Sequence, residues 1–129
     1  MLSQTISVKP RPEFDPDRIA FHVACVDYDR ASLLVSDLLE NMARMVGIEP
    51  RLETGPAELA LGWTFYTLSV NKEVARRFAS LPESDILQSK GATLDQKFAT
   101  WLNRQLAARM QGIQVRLLSD LKSSQFGFF

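Results

Sequence analysis

Apolar and polar positions alternate from residue 18 to residue 28. Ile19, Phe21, Val23 and Cys25 fall on one side, and Ala20, His22, Ala24, Val26 and Tyr28 on the other. Both sides are largely apolar, which predicts a central strand. The period then changes. Ala31, Leu34, Val35, Leu38, Met42, Met45 and Val46 recur at helical spacing and predict a helix over 30–46, capped by Asp29. Gly47 stops it, since glycine accepts a left-handed C-terminal cap at little cost. Ile48 to Thr54 reads as a short strand, with Pro50 placing it at an edge or starting it late. Gly55-Pro56 turns the chain. Leu59, Leu61, Trp63 and Phe65 alternate along a further strand that runs to Val70, with Gly62 as a bulge.

The second half is mostly helical in period. Asn71 caps a helix using Val74, Ala75, Phe78 and Leu81, and Pro82 ends it. Residues 83–92 form a loop with one helical turn at Ile86-Leu87. Thr93-Leu-Asp-Gln96 is a capping box, and the helix it opens carries Leu94, Phe98, Trp101, Leu102 and Leu106 on one face. After Gly112, Ile113 to Leu117 alternates as a last strand. The resulting order, β-α-β-β-α-α-β, is an α+β pattern. It fits a ferredoxin-like βαββαβ sandwich with a split, extended second helix and the helices on one face of an antiparallel sheet.

Prolines 10, 12 and 16 lie among charges ahead of this unit, so residues 1–17 read as an extended arm, in which the alternating Gln4 to Val8 could join a sheet edge. Residues 18–121 form the single domain, and 122–129 an aromatic tail. At 129 residues and 46% hydrophobic, the chain suits one domain with a real core. Fifteen basic and fifteen acidic side chains give no overall field that would select nucleic acid or anionic membrane. The charge is uneven, however: residues 1–87 hold nine basic and thirteen acidic groups, and residues 88–129 six and two. Such asymmetry can steer a partner to one end or draw the two halves together. The single cysteine, Cys25, excludes an intrachain disulfide and a Cys-rich metal site. Neither a secretory signal nor a run of about 18 apolar residues is visible, so a cytoplasmic protein is expected.

The stretch Val26-Asp-Tyr-Asp29-Arg30-Ala31-Ser32-Leu33-Leu34 resembles the opening of ACT domains, small regulatory modules whose first strand ends in Asp-Arg-Pro-Gly-Leu-Leu. The likeness continues through Met42 to Ile48, and Thr54 and Trp63 to Phe65 sit where such domains place their next strands. The resemblance implies an amino-acid-sensing or dimerising module with Asp29, Arg30, Ala31, Ser32 and Leu33 at the ligand turn. The family's Pro-Gly is Ala31-Ser32 here, which removes the glycine that lets ligand approach the backbone.

Other chemistry is sparse. Asp27 and Asp29 would share one strand face, as a magnesium-binding pair does, with Asp37 and Glu40 on the next helix, but no phosphate loop accompanies them. A helix cap and a solvated or Arg30-paired carboxylate explain them more simply. His22 and Cys25 are three apart on a strand and point to opposite faces, so they form no local nucleophilic pair. Lys97 and Arg104 repeat at seven residues on one helix face, which could meet phosphates or simply face water, and Arg109 lies in the apolar arc of the same helix. Phe126, Phe128 and Phe129 are costly to expose: they fold back on the sheet or anchor in a groove of another subunit. The pattern therefore points to a small non-enzymatic regulatory or assembly protein, a homodimer with no cofactor and no metal, that binds another protein through Phe126, Phe128, Phe129, Lys97, Arg104 and Arg109. An ACT-like sensor is the second reading, a nucleic-acid binder using the basic helix the third, and metal-dependent phosphoryl transfer on Asp27 and Asp29 the weakest.

Overall fold

The computed structural model describes residues 16–121. The expected arm, apart from Pro16 and Asp17, and the phenylalanines of the tail lie outside them. The elements are β1 (Arg18–Cys25), α1 (Tyr28–Val46), β2 (Glu53–Thr54), β3 (Glu58–Ala60), β4 (Trp63–Asn71), α2 (Lys72–Ala79), a 3₁₀ turn (Ile86–Gln88), α3 (Leu94–Ala107) and β5 (Ile113–Leu117). The protein is α+β. The five strands of the described residues form one antiparallel sheet in the order β2-β4-β1-β5, with β3 pairing to β4 alone.

The register explains why β1 is apolar on both sides. Phe21 lies between Leu68 and Leu117, and Val23 between Tyr66 and Val115. These side chains and Ile19 and Cys25 meet the helices in one core that includes Val35, Leu39, Met42, Val74, Phe98, Leu102 and Leu106. The other side of β1 carries Ala20, His22 and Ala24. Aromatic edges stitch the layers together: Phe21 meets Phe98 edge-on at 5.6 Å, and Tyr28 meets Tyr66 at 5.3 Å.

Local signals set the helix ends. Gly47 closes α1 at φ +71, where an L side chain would be strained. Thr93 and Gln96 form the capping box of α3, and Asn71 caps α2 by accepting the Glu73 N–H. Three expectations need correction. The cap of α1 is Asp27, whose Oδ1 accepts the Arg30 N–H at 3.2 Å, so the helix starts at Tyr28 and Asp29 sits in its first turn. There its carboxylate faces the positive end of the helix dipole. The strand expected over 48–54 is only Glu53–Thr54, because Pro50 has no donor and Arg51 adopts φ +48. The single strand expected from Leu59 to Val70 is a hairpin, β3 and β4, joined by Leu61-Gly62 rather than bulged at Gly62.

Candidate functional site

The β3–β4 hairpin has the tightest possible connection. Ala60 pairs with Trp63, which leaves Leu61 and Gly62 as the whole loop, at φ +55 and φ +82. Two positive φ values in a two-residue loop define a type I′ turn, whose usual occupants are Asn-Gly and Asp-Gly. Leucine at the first position is unfavourable, since a left-handed conformation costs an L residue roughly 1–2 kcal/mol. Nothing in the fold compensates, because Leu61 is 100% exposed.

Its neighbours are also apolar and uncovered. Leu59 is 77% exposed, Val26 56% and Trp63 37%. Val26, just past β1, and Trp63, the first residue of β4, lie one position beyond the last pair of the β1–β4 ladder, Cys25–Thr64. Val26 and Trp63 share the open face of the sheet with the half-buried Phe65, which stacks on His22 at 5.7 Å, whereas Leu59, opposite Thr64, lies on the other face of the hairpin and Leu61 at its tip. Exposed Asp27, Asp29 and Glu58 lie on the elements around it. Isolated exposed leucines are ordinary on protein surfaces, but an apolar cluster with a polar rim marks a contact surface.

His22 lies between Thr67 and Arg116 in the ladder. Partial burial, and then the Arg116 guanidinium, hold its imidazole below the ordinary 6.5. The unfolded chain therefore takes up a proton first as pH falls, and stability declines below about pH 6.5 through the lower folded value. Denaturant melts between pH 7 and pH 5.5 should show this decline, and His22→Gln should flatten it. A slope unchanged in the variant would assign the decline to other groups.

The residues singled out from the sequence fall into three places. Asp29, Arg30, Ala31, Ser32 and Leu33 form the first turns of α1. Ala31 is buried, and the Ser32 hydroxyl donates to the Asp29 carbonyl at 3.3 Å. Lys97 and Arg104 come together over the 85–89 segment: Lys97 Nζ donates to the Ser89 carbonyl at 3.2 Å, and Arg104 to Asp85 Oδ2 at 3.2 Å. Arg109 sits past the end of α3 and donates to the Gln105 carbonyl at 2.7 Å. Phe126, Phe128 and Phe129 lie outside the described residues. His22 faces the open side of the sheet, whereas Cys25 is buried in the core, where burial and then Asp27 push its thiol up. Among the described residues no three His, Cys, Asp or Glu side chains are grouped so as to hold a metal ion. No helix there is long and apolar enough to cross a membrane.

The sequence reading placed Leu59, Leu61, Trp63 and Phe65 on one face of a single strand and so missed the hairpin tip. The available signal was Gly62, in the second of two positions between alternating runs. No family model matches the chain, and no curated protein or solved structure matches it either.

Proposed function

We propose that the protein works by binding other protein chains, as a small regulatory or assembly factor, and that the hairpin end of its sheet is the contact surface. The supporting observation is Leu61. A residue that carries conformational strain and is wholly exposed contributes nothing evident to the fold, and such strain is typically kept at functional positions. With Trp63 and Val26 on the open face of the sheet it supplies an apolar surface, Leu59 lying on the other face of the hairpin, and the acidic side chains around it favour a partner with basic groups at its rim. Self-association through this surface is the simplest case.

We read the fold as ferredoxin-like. The last strand lies beside the first, the first beside β4, and β4 beside the short second strand, with all helices packed against one face. In that frame the hairpin between the second and third main strands carries the tip.

The reading is tested with Leu61→Glu, which places a charge at the tip of the patch, at a fully exposed position that the core does not use. Sedimentation velocity over a concentration series and affinity capture from native lysate would be compared with the wild type. Association should weaken more than tenfold, about 1.4 kcal/mol or more. Identical sedimentation and identical capture would reject the hairpin end as the contact surface.

A further inference from the structure

A second surface on the molecule is polar and concave. Between α3 and β5 lies a groove of about 440 Å³, a volume within the usual range for small-ligand sites. Ala99, Val115 and Leu117 give it an apolar floor, and Thr100, Asn103 and Gln114 line it with neutral polar groups. It sits at the sheet edge opposite β2, so it is independent of the contact surface proposed above.

Its charges decide what it suits. Lys90 and Arg116 both line the groove. Neither has a hydrogen-bond acceptor or a carboxylate within ion-pair distance among the described residues, and both are exposed. The cations nearby differ: Lys72 pairs with Asp95 at 3.1 Å, Arg104 with Asp85 at 3.2 Å, and Lys97 donates to the Ser89 carbonyl. The one acid of the groove, Asp120, accepts from Gln96 Nε2 at 3.4 Å. Asn103 uses its carbonyl oxygen on the Val115 N–H at 2.7 Å, which leaves its amide hydrogens for a ligand.

Gly91 fixes the approach. Its φ is +145, and a Cβ there would lie 2.7 Å from Gln96 Cβ and 2.7 Å from the Lys97 nitrogen. The backbone is therefore seated against the first turn of α3, and the neighbouring Lys90 joins the lining of the groove. Two unpaired cations outweigh the one carboxylate, Asp120, so the concavity is net positive and suits an anionic ligand. The guanidinium offers paired donors to oxyanion oxygens and the ammonium a point charge.

We propose that this groove binds a small dianion, a phosphate monoester or a dicarboxylate, with Lys90 and Arg116 holding the acidic oxygens and Asn103, Thr100 and Gln114 meeting its polar body. The test is thermal melting of the full chain with inorganic phosphate or succinate at matched ionic strength. The wild type is compared with a Lys90→Gln/Arg116→Gln double variant and with Arg76→Gln, a surface control. Such anions also stabilise proteins by exclusion from the surface, and the double variant separates that effect. At a hundredfold excess over Kd the wild type and the control should melt on the order of 5 °C higher, and the double variant should lose most of the rise. A rise with phosphate alone identifies the phosphate class, and one with succinate alone the dicarboxylate class. No rise with either probe, or the same rise in the double variant, overturns the proposal.

Discussion

Leu61→Asn should make the protein more stable and less able to bind its partner. Asparagine enters the left-handed region more readily than leucine, and Asn-Gly is the preferred pair for this turn. The wild-type side chain is fully exposed, so its removal forfeits no burial. Relief of part of the strain should contribute about 1 kcal/mol, or about 3–6 °C in melting temperature for a domain of this size. The same change removes the most prominent apolar group of the patch, and association should drop about tenfold or more, as truncation at a contact centre does. Differential scanning calorimetry and sedimentation velocity on one preparation read both quantities. Opposite movement of the two is the signature of a residue kept for contact at the expense of the fold. A lower melting temperature would show that Leu61 supports the hairpin, and unchanged association would remove it from the interface.

Asp85→Ala should destabilise the domain by about 1–2 kcal/mol. Asp85 Oδ1 accepts the indole N–H of the buried Trp101 at 2.6 Å, and Oδ2 accepts from Arg104. Trp101 packs on Phe98 and Phe78, so this carboxylate anchors the 85–89 segment to the centre of the helical layer. Removing the acceptor leaves a buried donor short of a partner. Asp85→Asn keeps an oxygen at that position and should recover most of the loss. Arg104→Ala should cost no more than about 0.5 kcal/mol, because both charges are half exposed and water screens them. Urea denaturation of the three variants orders them. Equal losses for Asp85→Asn and Asp85→Ala would assign the effect to charge instead of the indole hydrogen bond. A large loss in Arg104→Ala would give the ion pair a weight its exposure does not support.

Local rules made much of the fold legible. Gly47, Asn71, Thr93 with Gln96, and the doubly apolar run at 18–25 act within a few residues of themselves, and each structural feature follows its signal. The helical turn at Ile86 was equally visible. The errors fall where neighbours along the chain compete or where distant pairing decides. Asp27 and Asp29 are both good caps, and the backbone geometry at Asp27 selects between them. Leu59, Leu61, Trp63 and Phe65 alternate as one strand would, and only the pairing of Ala60 with Trp63 shows that the chain reverses between them. An Asn-Gly at the reversal would have been readable, whereas Leu-Gly hid it. The basic face of α3 illustrates a different limit. Periodicity put Lys97 and Arg104 together correctly, but the acceptors they meet, Ser89 and Asp85, come from a loop whose path no local pattern fixes. The groove was invisible for the same reason, since Lys90 and Arg116 are 26 positions apart and are joined only by the packing of α3 on β5.

Photo-crosslinking from the hairpin tip tests the central claim most directly. A benzophenone amino acid replaces Leu61 in one preparation and the exposed Glu40 of α1 in another, and each is irradiated in native lysate. The account predicts discrete higher-mass adducts from position 61, to a second copy or to one other protein, and none from position 40. No adduct from position 61, or the same adducts from both positions, would contradict it.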